Sequence, residues 1–135
     1  MASQIFVNLP VSDLKRSIAF FESLGFRFNP QFTDDKAGCM VVSDAIYVML
    51  LLRDYFQTFT PKAAVDAKKG TEVLLALSQE DRQSVDDLVR RAVAAGGSTY
   101  NQPKDHGFMY QHGFEDPDGH IWEIFWMDPA AVQQP

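Results

Sequence analysis

Three histidines, one cysteine and eighteen carboxylates are the side chains of this 135-residue chain best suited to hold a metal or move a proton. Cys39 is alone, so neither an intrachain disulfide nor a thiolate metal cage can be built from it, and beside Met40 and Val41 it reads as a small buried hydrophobe. His106 falls in the loop Lys104-Asp105-His106-Gly107, His112 in an apolar run from Phe108 to Phe114, and His120 just after the turn Asp116-Pro117-Asp118-Gly119. Strand alternation along the last run sends Ile121 and Glu123 to one face and His120 to the other. Ser17 has no evident histidine partner. The chain contains no Gly-x-Ser-x-Gly elbow, no His-Glu-x-x-His helix and no glycine-rich phosphate loop. What remains is an aromatic set, Phe6, Phe108, Tyr110, Trp122 and Trp126, in a chain of net charge −6. That combination suits stacking and cation–π contact with a cationic or aromatic compound.

The elements that must carry these residues read as two similar halves. Gln4 to Leu9 alternates and stops at Pro10, predicting a strand. Ser12 is the expected N-cap of a helix over Asp13–Leu24, ended by Gly25. Strands are expected at Phe26–Phe28, Cys39–Val42 and Ile46–Leu52, with Ser43-Asp44 turning between the last two. A polar connector, Pro61–Gly70, precedes a strand over Glu72–Leu77. Ser78 and Asp81 resemble a capping box. Val85, Leu88, Val89, Ala92 and Val93 form a helical stripe ended by Gly96-Gly97. Strands follow near Ser98–Tyr100, Phe108–Phe114 and His120–Trp126. The order is βαβββ twice, with a period of roughly 65 residues.

Four strands with a helix on one face leave the other face bare. The expectation is therefore an α+β domain in which two βαβββ modules, about 4–56 and 71–127 with a connector about 57–70, form a curved mixed sheet around a central cavity. Such a concavity is a place for a small molecule. Hydrophobic residues make up 46% and charged residues 22%, the balance of a globular chain. With twelve Lys and Arg against eighteen Asp and Glu, and only scattered basic pairs, nucleic acid is not an expected partner. The longest apolar run, Ala45–Leu52, is far short of the roughly twenty residues that span a bilayer. No secretory signal is indicated, and with a single cysteine the expected location is the cytoplasm.

Two segments carry a family resemblance: Phe6-Val7-Asn8-Leu9-Pro10-Val11-Ser12-Asp13-Leu14 with Arg16-Ser17-Ile18-Ala19-Phe20-Phe21 and Leu24-Gly25-Phe26, and Phe114-Glu115-Asp116-Pro117-Asp118-Gly119-His120-Ile121-Trp122-Glu123. Together they resemble the opening and the ending of a vicinal-oxygen-chelate (VOC) protein, the superfamily of glyoxalase I, extradiol dioxygenases, and fosfomycin- and bleomycin-resistance proteins. In its metalloenzymes a divalent ion (Mn, Ni, Zn, Fe or Mg) is held by the first and last strand of each module. The resemblance carries those positions onto Phe6, Met49, Glu72 and Glu123. Only the two glutamates are donors for a hard ion.

The resemblance implies two functions. In one, a metal on Glu123 and Glu72 polarises a substrate as a Lewis acid in a lyase- or dioxygenase-type reaction, with His106 or His112 carrying protons. In the other, the protein has no metal and sequesters a ligand as bleomycin-resistance proteins do, with Phe6, Asn8, Met49, Phe108 and Tyr110 as contacts. Whether the chain is an enzyme stays open between them. A fold-only scaffold is a third possibility. The resemblance also implies a homodimer.

Overall fold

A computed structural model describes residues 2–131. The chain divides into two units, Met1–Asp66 and Ala67–Pro135, and the division falls inside the expected connector. The fold class is α+β, and each unit is a βαβββ module with its own four-stranded mixed sheet.

The first unit runs β1 (Ile5–Val11), α1 (Leu14–Ser23), β2 (Arg27–Phe28), β3 (Ala37–Val41), β4 (Ile46–Leu52) and α2 (Arg53–Gln57), with a 3-10 turn at Pro30–Phe32. Its sheet order is β1-β4-β3-β2. β1 pairs with β4 in parallel, Asn8 beside Met49 and Leu9 beside Leu50. The strand continues through Pro10 instead of ending before it. β1 is an edge strand with a ladder on one side only, which is where sheets tolerate proline. α1 is capped by Asp13, whose carboxylate accepts the Arg16 N–H at 3.1 Å, one residue later than expected. Ser12 Oγ instead accepts the Arg16 guanidinium at 2.9 Å. The short α2 was not foreseen, because five residues hold too little periodicity to register.

The second unit repeats the plan with β5 (Leu74–Ser78), α3 (Arg82–Ala94), β6 (Lys104–Asp105), β7 (Met109–Glu115) and β8 (Ile121–Met127) in the order β5-β8-β7-β6. Here too an aspartate caps the helix: Asp81 accepts the Ser84 N–H at 2.8 Å, and Ser78 closes β5 instead. The expected strand over 98–100 is reduced to a single bridge, Ser98 to Glu115, and the sixth strand forms at Lys104–Asp105. Val85, Leu88, Val89 and Ala92 are buried as their spacing requires, whereas Val93 lies outside the stripe and is 44% exposed.

Each unit buries the sheet face under its helix. In the first, Leu9, Val11, Met40, Val48 and Leu50 pack with Phe20 and Phe21 of α1. In the second, Phe114, Trp122 and Ile124 are fully buried with Val85 and Ala92 of α3. Among the described residues no helix is long and apolar enough to cross a membrane.

Candidate functional site

Register decides which side chains share a face. Gly38 is the reference in the first unit, since a Cβ there would meet Ile18 of α1 at 3.2 Å. Gly38 pairs with Leu50, so Leu50 and Leu9 face the helix, and Phe6, Asn8, Tyr47, Met49 and Cys39 face away. Three of the expected ligand contacts, Phe6, Asn8 and Met49, therefore lie on one face. Its β1 end is open: Phe6 is 46% exposed and stacks on Tyr47 with centroids 4.7 Å apart. Asn8 Nδ2 turns back onto the Phe6 carbonyl at 3.4 Å. Towards the α2 end the same face is closed, with Ala37, Cys39 and Leu51 buried. Burial pushes the Cys39 thiol up, which keeps it protonated and unreactive.

In the second unit the α3 side of the sheet holds Tyr110, His112, Phe114, Trp122, Ile124 and Trp126, by ladder pairing. Tyr110 donates its hydroxyl to Asp86 of α3 at 2.6 Å, which pushes the phenol up to about 12. The opposite face carries Glu123, paired with Gly113 of β7 and with Ala76 of β5. Glu115 lies on the same side.

The sequence-predicted residues thus separate. His112 projects from the α3 face, away from Glu123. Its Nε2 bonds the Asn101 carbonyl at 3.1 Å and lies 3.2 Å from Thr99 Oγ1. His106 is exposed beside Phe108, their ring centroids 6.3 Å apart. That loop is fastened by Arg82, which donates to Asp105 at 3.1 Å and to the Gly107 carbonyl at 2.9 Å while lying 4.8 Å from the Trp126 ring centroid. The Gly107 N–H and then Arg82 hold the Asp105 carboxyl below its usual range. Glu72 is exposed and precedes β5. The residue beside Glu123 on that strand is Ala76, four positions further on, or about 13 Å along an extended chain.

The motif around Asp116 builds the β7–β8 turn. Asp116 is buried and its carboxylate accepts from the backbone N–H groups of Asp118 and His120, from His120 Nδ1 and from Trp122 Nε1, all between 3.0 and 3.2 Å. This network fixes where β8 starts and so which face Glu123 takes. A polar groove of about 330 Å³ runs beside the turn, lined by Lys68, Gly96, Ser98 and Glu115 among others, and it does not include Glu123.

Sequence reading missed Tyr100. Its phenol lies over Gly113 on the Glu123 face, and a Cβ on Gly113 would overlap its hydroxyl and stand 2.7 Å from its Cζ. Partial burial, then Glu123 and Glu115, push the Tyr100 phenol up. A lone glycine within a strand signals close approach by another group, and Gly113 was that signal.

A glyoxalase/bleomycin resistance protein/dioxygenase superfamily model matches residues 4–124. The chain belongs to that superfamily. The VOC fold is shared with solved structures across nearly the whole chain. A hypothetical protein, SA1046 from S. aureus, is 27% identical with a TM-score of 0.79, over 93% of this chain and 94% of that one. A glyoxalase-related enzyme from Fulvimarina pelagi is 25% identical with a TM-score of 0.78, over 93% of this chain and 88% of that one. A superfamily enzyme from Burkholderia phytofirmans PsJN, at 19% identity, a TM-score of 0.75 and 90% and 96% coverage, shares the fold. No curated protein matches significantly.

The metal that this superfamily implies does not fit the donors present. Of the four strand positions, Phe6 has no donor atom, Met49 offers a thioether, and Glu72 stands outside its strand, which leaves Glu123. Among the described residues no three His, Cys, Asp or Glu side chains are grouped to share an ion.

Proposed function

We propose that this VOC chain binds a small organic cation with an aromatic portion, without a metal, in the manner of the bleomycin-resistance branch. The observation that carries the reading is the state of the ligand positions. Glu123 is half-buried with Ala76 and Gly113 as ladder neighbours, and the Glu115 carboxylate and Tyr100 phenol on its face do not complete a group of three His, Cys, Asp or Glu donors among the described residues. The carboxylates of this face attract an ammonium or guanidinium group, while a divalent ion needs several further donors. Phe125 on the same face adds aromatic surface. The reading includes action in the cytoplasm as a homodimer. Exposed apolar side chains on the edge strands, Ile5 and Phe6 on β1 and Leu74 on β5, support the pairing.

Calorimetric titration tests this with Mn²⁺, Ni²⁺ and Zn²⁺ in one series and bleomycin, a bulky aromatic cation, in another. The expected result is no stoichiometric metal uptake, and saturable bleomycin binding weakened about tenfold by Glu123→Gln. One metal per chain, lost in Glu123→Gln, overturns the reading. Light scattering tests the dimer, and a monomer mass at micromolar concentration would rule it out.

A further inference from the structure

Tyr100 reaches the Glu123 face from outside the sheet, and three features hold it there. The segment before it is tied to β7 by two backbone hydrogen bonds between Ser98 and Glu115, at 3.1 and 2.7 Å. Gly113 supplies the gap, since any Cβ there would overlap the phenol. His112, on the opposite face of β7, secures the residues on both sides of Tyr100. Its Nε2–H points at the Asn101 carbonyl and lies within reach of Thr99 Oγ1, and the Thr99 hydroxyl donates to that same carbonyl at 2.9 Å. This network assigns the Nε2 proton to His112. The arrangement bears a cost, because Asn101 Oδ1 is buried with no partner among the described residues.

The outcome is a phenol beside a carboxylate. The Tyr100 hydroxyl makes no hydrogen bond among the described residues, and the surrounding burial and carboxylates keep it protonated. It therefore offers a donor where Glu123 offers an acceptor.

We infer that Tyr100 is a specificity-determining contact of the Glu123 face, its hydroxyl donating to a hydrogen-bond acceptor that neighbours the ligand's cationic group, and that His112 is the positioning residue that presents it. The inference rests on the cation-binding reading above. It narrows the ligand class to ammonium compounds with an adjacent carbonyl or ether oxygen. It also gives His112 a part in binding from the face opposite the ligand.

Two probes separate the inference from the reading on which it rests. Tryptamine has an aromatic ring and an ammonium group, and tryptophan amide adds a carbonyl next to that ammonium. Affinities come from chemical-shift titration of the 135-residue chain at millimolar probe. Tryptophan amide is expected to bind about tenfold more tightly than tryptamine, the worth of one hydrogen bond. Tyr100→Phe should remove that ratio and leave tryptamine binding unchanged. His112→Ala should do the same while far-UV circular dichroism stays native, and a purely structural histidine would weaken both probes alike. Equal affinities in the wild type, or a ratio that survives Tyr100→Phe, overturn the inference alone. If both probes bind but Glu123→Gln affects neither, or if neither binds, the cation reading falls and the inference falls with it.

Discussion

The two units share one topology and use it for different ends. In the first, the sheet face away from the helix is apolar on β1, β3 and β4 but for Asn8 and the Tyr47 hydroxyl, with Ala37, Cys39 and Leu51 buried near α2 and Phe6 stacked on Tyr47 at the open end. In the second, the corresponding face carries Glu123, Glu115 and Tyr100, and the turn before β8 encloses a buried carboxylate. Met49 and Glu123 occupy matching ladder positions, beside Asn8 and Ala76 respectively. The helix-facing residues carry the packing common to both units, and the exposed part of the other face is where the two differ.

The sharpest way to break the comparison is at Asp116, which has no counterpart in the first unit's Ser43–Ala45 turn. Asp116→Ala would leave the Trp122 and His120 ring N–H groups and two backbone N–H groups buried without their acceptor. A loss of about 3–5 kcal/mol in urea unfolding is expected, against less than about 0.5 kcal/mol for the exposed Asp44→Ala.

Next is the edge strand of each sheet. Leu9 and Leu77 pair with Leu50 and Ile124 in matching registers, but Leu9 is 3% exposed and Leu77 is half-buried. Leu9→Ala should cost about 2–5 kcal/mol and Leu77→Ala clearly less. Equal losses in thermal melts would show that Leu77 is covered in solution by something more than its own unit.

The helix caps should show likeness instead. Asp13→Ala and Asp81→Ala each remove one carboxylate-to-backbone bond, at 3.1 and 2.8 Å, and each should lower the melting temperature by a similar, modest amount. A large inequality between them would argue against equivalent caps.

The smallest effect is confined to alkaline pH. The folded phenol of Tyr110 lies at about 12 against an ordinary value of 10. Deprotonation therefore favours the unfolded chain, so its contribution is whole below pH 10 and is lost as pH climbs through the folded value. Tyr110→Phe should flatten the fall in melting temperature over that interval while leaving the neutral-pH slope unchanged.

Much of this was readable beforehand. Ile46–Leu52 forms β4 over the expected residues, and the α3 stripe is buried except at Val93. Both rest on local periodicity. The misses have non-local causes. Pro10 is tolerated because β1 lies at an edge, and both caps fall on an aspartate, Asp13 and Asp81, whose extended backbone lets its carboxylate reach the N–H three residues on. Glu123 was visible through family resemblance, and its pairing with Ala76 instead of Glu72 needed the register. Tyr100 was hidden because its partners Gly113 and Glu123 are thirteen and twenty-three residues away, on other strands.

Pro10 has a further consequence. The outer side of β1 includes a residue with no N–H, and a strand laid along it would meet an interruption there. The edge of the second sheet has no such guard. β5 reads Leu74-Leu75-Ala76-Leu77-Ser78, with neither charge nor proline, and Leu74 is 54% exposed. Of the two edges, β5 is thus the more open to strand addition: a lysine at Ala76 would protect that edge at the expense of the Glu123 face, whereas one at Ser78, two residues along, would protect it further from the carboxylate.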